Sequence, residues 1–234
     1  MGTSTHFSDK SVNQDLYKRR NAIVPRESEM SEILELIKLL DSSSSPKRRS
    51  AAKKLRKIGN PLAGAALLDA LKRELPDRRT WETQYQMVMA LGHCGHKESI
   101  PLLQLLAHEQ FEHTMVLVAV GDAYVRLCRS SNEDSTPLFD IFGIRNDDGL
   151  LDGALRAVAM LQMKFPPETV ARIIEHVTAR NQESLWFWVA AASPGWSGPI
   201  VDAFLDKCLA GTREDVKTAA RAAKVKKYLK WNPL

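Results

Sequence analysis

The sequence predicts an all-α fold, a solenoid of about six stacked helix pairs. Three observations predict it. Apolar residues recur at helical spacing from Glu29 almost to the end of the chain. No stretch alternates polar and apolar residues between hairpin turns, as strands would. Prolines that open a predicted helix stand at Pro61, Pro101, Pro137, Pro167 and Pro199, 30 to 40 residues apart, with a helix, a turn and a second helix between them. A repeat of that period marks units that bury their apolar stripes against one another.

Residues 1–27 show little apolar periodicity and read as an N-terminal arm, partly disordered, leaving 28–234 as the repeat domain. Ile33, Leu34, Leu36, Ile37, Leu39 and Leu40 form the first amphipathic face. Ser45 is expected to cap the next helix, with Pro46 at its first position and Gly59 as its left-handed stop. Asn60 and Pro61 begin a third helix that Pro76 ends. Trp81–Cys94 is closed by Gly95, and Pro101 opens 102–107. The span 111–127 reads as one long apolar helix containing Gly121. Shorter helices follow at 136–143 and 150–163, then 168–179 behind Pro167 and 185–192 before Ser193, Pro194 and Gly195. Pro199 opens 200–209, and 213–230 is expected as a last helix whose lysines cap the open end of the array.

Residues 46–75, PKRRSAAKKLRKIGNPLAGAALLDALKREL, resemble a HEAT-type repeat junction. The likeness lies in an Arg- and Ala-rich second helix ending in Gly, then an amide and Pro, then paired leucines. Ala90, Leu91 and Gly92 with Ile100, Pro101, Leu102 and Leu103 repeat it, and 213–223 is a weaker echo. The segment 114–127 departs, with Gly121 and Asp122 in place of an Ala-Leu-Gly ending. The resemblance implies a right-handed superhelix of HEAT-like pairs whose second helices line a concave surface. It implies little about activity, because one fold hosts many functions.

Charge is polarised. Between 42 and 80, eleven Lys/Arg stand against Asp69, Glu74 and Asp77; between 131 and 155, Arg145 stands against six acids; after 212, seven basic residues stand against two acids. A chain basic at both ends and acidic in its centre does not make a single-sign stripe for nucleic acid. The formal net charge of +5 is modest. No apolar run reaches the roughly 20 residues of a membrane span. The N-terminus lacks the apolar core of a secretory signal. Cys94, Cys128 and Cys208 are far apart and sit among helix-patterned residues, so reduced thiols and a cytoplasmic setting are expected.

The sequence carries no phosphate-binding glycine loop, nucleophile elbow or metalloprotease motif. His93, Cys94 and His96 flank a helix end and lack a second ligand pair at zinc-finger spacing. No cofactor and no metal is expected, and the chain reads as a non-enzyme.

Binding is the expected function, to a protein partner through the concave face. The strongest electrostatic feature is the run 47–57, with Lys47, Arg48, Lys53 and Lys54 as candidate contacts. On the second helices the candidates are Trp81, Asp122, Asp152, Arg156, Trp186 and Trp188, because aromatic and Arg side chains commonly anchor interfaces. The rings of Trp186, Phe187 and Trp188 spread over about 200° of a helix, so at least one is expected outside a single core wedge. A bacterial immunity or inhibitor protein that occludes a toxin or enzyme is the subclass that suits one-domain size and polarised charge. A nucleic-acid binder is the alternative. Some alkylpurine DNA glycosylases are HEAT-like arrays with tryptophans and an essential Asp in a basic groove. Asp122 or Asp152 with Trp81, Trp186 and Trp188 is the set that would imitate them, although the acidic centre opposes phosphate binding.

Overall fold

The computed structural model describes residues 27–144, 148–180 and 182–230, and among them it is all-helical, with no strand. The predicted arm falls almost wholly outside the described residues. The helices are α1 (Glu27–Leu39), α2 (Ser45–Ile58), α3 (Gly64–Glu74), α4 (Trp81–Cys94), α5 (Ile100–His108) and α6 (Met115–Cys128), then α7 (Thr136–Ile144), α8 (Asp148–Met160), α9 (Pro167–Ala179), α10 (Glu183–Ala192), α11 (Pro199–Ala210) and α12 (Glu214–Lys224).

Each odd-numbered helix packs on the even-numbered helix that follows it, and the even-numbered helices pack on one another in succession, α2 on α4 through to α10 on α12. Burial follows from this order. α4 and α6 are enclosed by neighbours on both sides, and almost every residue from Thr83 to Cys94 and from Val116 to Leu127 is buried. A helix that is apolar on all sides has to be enclosed in this way. α9 buries one stripe only, Val170, Ile173, Ile174 and Val177. α2 and α12, at the two ends of the row, are also one-sided.

Close approach in the even row depends on small residues. A Cβ on Gly153 of α8 would collide with the Val118 carbonyl of α6, and one on Gly121 of α6 would collide with the Leu150 carbonyl of α8. Gly92 of α4 lies similarly tight against Ala123 of α6. These contacts bring the α6 and α8 backbones closer than any larger side chain permits.

Several boundaries differ from the sequence reading. Ser44, not Ser45, precedes α2 and makes no side-chain cap; the Ser45 hydroxyl instead meets Thr83 Oγ1 at 2.8 Å and Glu74 Oε1 at 3.3 Å. Asn60 does cap, taking the Leu62 N–H at 2.9 Å, but what it opens is a 3₁₀ turn ahead of α3. Gly59 and Gly95 are left-handed as expected, at φ 65° and 70°. The long helix predicted from residue 111 begins at Met115, so Phe111 and His113 stand in the preceding loop. The last helix stops at Lys224; Lys226 turns to φ 55° and its Nζ donates to the Trp196 carbonyl at 2.6 Å.

Candidate functional site

The run 47–57 does not form one solvated face. Arg48, Ala52 and Arg56 lie four residues apart on one stripe of α2, and that stripe points inward. Arg48 forks onto Glu74 of α3, Nε to Oε2 at 2.6 Å and Nη2 to Oε1 at 2.8 Å, and also donates to the Ser42 carbonyl at 2.7 Å. This bidentate pair, with Glu74 buried, ties α2 to α3. Arg56 is 3 % exposed and reaches Tyr85 of α4; burial lowers its pKa, and the Tyr85 hydrogen bond partly opposes that. Arg49, half-buried, pairs with Glu82. Lys47, Lys53 and Lys54 are exposed.

A polar spine runs across the even row. Asp122, 0 % exposed, accepts from Arg126 one turn on in α6, Nε to Oδ1 at 2.5 Å, and its Oδ2 lies 3.8 Å from Arg156 Nε of α8. Arg156 Nη1 donates to the Tyr85 hydroxyl at 2.9 Å, so α4 reaches α8 past α6. The Arg156 guanidinium also lies 5.9 Å from the Trp188 ring of α10, within cation–π range. Trp188 Nε1 donates to Asp152 Oδ1 at 3.1 Å. Burial pushes the Asp152 carboxyl up to about 6, against the Trp188 hydrogen bond and Arg156. His93 of α4, beside the spine, is driven down to about 4 by burial first and by Arg126 second.

Of the candidate contacts, Lys47, Lys53 and Lys54 lie at the surface, and Trp81, Asp152 and Trp188 are half-buried. Arg48, Asp122 and Arg156 hold helices together. Trp186 is buried, with Phe204 edge-on at 6.4 Å and Lys207 Nζ 4.6 Å from its ring centroid. Of the three adjacent rings, Trp188 is the most open; Phe187 and Trp186 are buried. Asp152, Arg156 and Trp188 come together. Lys53 and Trp81 line a separate open groove of about 620 Å³, together with other residues of α2 and α4 and Met115 at the start of α6. Tyr85, Gln86 and Arg126 were not singled out in the sequence, and Arg56 entered only as a member of the basic run. Arg126 carried a signal, the i,i+4 spacing from Asp122, and Arg56 carried another, its stripe with Ala52.

The groove has Pro46, Arg49, Ser50 and Lys53 on one wall and Trp81, Glu82, Tyr85 and Gln86 on the other. His113 lies against Trp81, ring centroids 4.8 Å apart and planes tilted by 32°. Tyr85 belongs to both groove and spine. Among the described residues, no three His, Cys, Asp or Glu side chains converge as metal ligands. Burial raises all three thiols, Cys94 to about 11 and Cys208 to about 12, so none has thiolate character at neutral pH. No helix among the described residues is long and apolar enough to cross a membrane.

No family model and no curated protein matches the chain. Among solved structures, a crystal structure of an engineered protein, a Northeast Structural Genomics Consortium target, aligns over 86% of this chain and 99% of its own, at 18% identity and a TM-score of 0.37. That likeness is too loose to support an argument.

Proposed function

We propose that the chain is a HEAT-like solenoid of about six helix pairs that works as a non-catalytic protein-binding module. The succession of contacts along the even row supports the architecture, as does the enclosure of α4 and α6 between neighbours. Tyr85 reaching Arg156 past α6 supports placing the concave side where the spine lies, because helices two apart approach one another on the inside of a curve. One observation carries the functional reading: the groove beside exposed Lys53 and half-buried Trp81 joins a cation to an aromatic wall. A bacterial immunity or inhibitor protein acting on a toxin or enzyme in the cytoplasm is the narrower form of this reading, and rests on the polarised charge. In a pull-down, the full chain should recover a stoichiometric protein, and Lys53→Glu or Trp81→Ala should weaken that recovery. Recovery that neither substitution changes would remove the groove from the interface.

A second reading, nucleic-acid binding of the alkylpurine glycosylase kind, has one observation in its favour. Asp152, Arg156 and Trp188 form a carboxylate, guanidinium and indole cluster on the row. It requires that alkylated duplex DNA lose bases on incubation with the chain and that Asp152→Asn abolish the loss.

A further inference from the structure

The groove between α2 and α4 has a feature that general stickiness does not explain. Gln86 lines it, is 7 % exposed, and its Oε1 is a buried acceptor with no hydrogen-bond partner. A buried amide oxygen left unpaired costs about 1–3 kcal/mol. A ligand N–H to which the Gln86 amide turns this atom recovers that cost.

The charge around the groove gives the ligand its sign. Arg49 on the wall is matched by Glu82, which leaves Lys53 as the unmatched charge of the lining. Behind Tyr85 stand Arg56, Arg126 and Arg156, with Asp122 facing the last two and Asp152 also facing Arg156. Arg49, Lys53 and Glu82 together leave the lining with one net positive charge, and low-dielectric walls focus its field in the groove. Trp81, with His113 beside it, gives a flat apolar wall. A volume of about 620 Å³ suits a few residues of extended chain.

Building on the protein-binding reading, we infer that this groove takes an extended acidic peptide segment of a protein partner. A carboxylate of the segment sits on Lys53, the Gln86 amide turns its Oε1 to a backbone N–H, and an apolar side chain lies on Trp81. A nucleic-acid strand fits less well. A phosphate track needs continuous cations, whereas here Glu82 lines the same wall and the row continues toward Asp152. A peptide can space its carboxylates to avoid both.

The test is selection of a phage-displayed library of random 12-residue peptides on the full chain, followed by fluorescence anisotropy of the enriched peptides and of a 12-nucleotide oligo-dT. Enriched peptides should carry several Asp or Glu. Lys53→Glu, an exposed change that leaves the core alone, should weaken them at least tenfold. Gln86→Met, which keeps the shape and removes the acceptor, should weaken them several-fold, with its fold checked by circular dichroism. Lys38→Glu, on α1 and away from the groove, should leave binding unchanged. Enrichment without acidic residues, no enrichment, or equal binding by Lys53→Glu overturns the inference, and so does oligo-dT binding more tightly than the peptides. Peptides lost on Trp188→Ala but kept by Lys53→Glu would overturn the groove while leaving the binding-module reading intact.

Discussion

Removing the carboxylate of Asp122 is expected to cost the fold about 3–5 kcal/mol, the range for breaking a buried ion pair by deleting one partner. The geometry supports that size. Asp122 is fully buried and faces Arg126 at 2.5 Å and Arg156 at 3.8 Å. At an effective dielectric of about 20, a unit pair at about 4 Å is worth roughly 4 kcal/mol. Two such pairs, less the desolvation the carboxylate no longer suffers, leave a net loss of that order. Asp122→Ala also leaves Arg126 and Arg156 facing each other with Arg56 near. Asp122→Asn keeps an oxygen for Arg126 and should lose less. Urea unfolding followed by circular dichroism is the assay, with the slope of the transition unchanged. In a thermal melt followed by the same signal, the midpoint temperature of Asp122→Ala should fall by roughly 10 °C, at about 2–4 °C per kcal/mol for a chain of this size. A loss below about 1 kcal/mol would refute the reasoning, by showing that the arginines swing to water and never needed the carboxylate.

Three further outcomes are expected. His93, driven down to about 4, stays neutral in the folded chain and gains its proton on unfolding, so it subtracts stability as pH falls from about 6.5 to about 4. Asp152, pushed up to about 6, holds its proton longer in the folded chain than in the unfolded one, so it adds stability as pH falls from about 6 to about 4. The two oppose each other; urea midpoints across that window should therefore fall more steeply for Asp152→Asn than for the parent, and less steeply for His93→Gln. Gly153→Ala should destabilise by about 2 kcal/mol, despite a helix-propensity gain of about 1 kcal/mol, because its Cβ meets backbone rather than a movable side chain. Gly143→Ala, on an exposed helical position with open space around it, should instead stabilise by about 0.5–1 kcal/mol in the same urea titration.

The all-helical class was legible because its punctuation is local. Gly59 and Gly95 take left-handed φ, and the prolines stand in the first turns of helices or 3₁₀ turns, because a few adjacent residues decide those conformations. Boundaries failed where the deciding partner is distant in sequence. Phe111 and His113 continue an apolar helical pattern, yet they lie in a loop where His113 meets Trp81. Ser45 has the chemistry of a cap, but it was drawn to Glu74 and Thr83 on α3 and α4. The groove was half legible. Lys53 and Trp81 were visible as types, while Gln86 carries no signal until α2 stands opposite it. Asp122 and Arg48 looked like surface charges because the sequence shows a charge without showing its counter-charge; Arg126 and Glu74 turn both inward.

The Tyr85–Arg156 link has a mechanical side. A row of stacked helices opens or closes by small rotations shared among its joints, and neighbour-only contacts leave each joint free to give. A bond that skips a helix works as a cross-brace and sets the joints on either side of α6 to one angle. On the proposed binding role, a partner at the middle of the row would meet a surface whose angle is already set, and less freedom would be lost on binding.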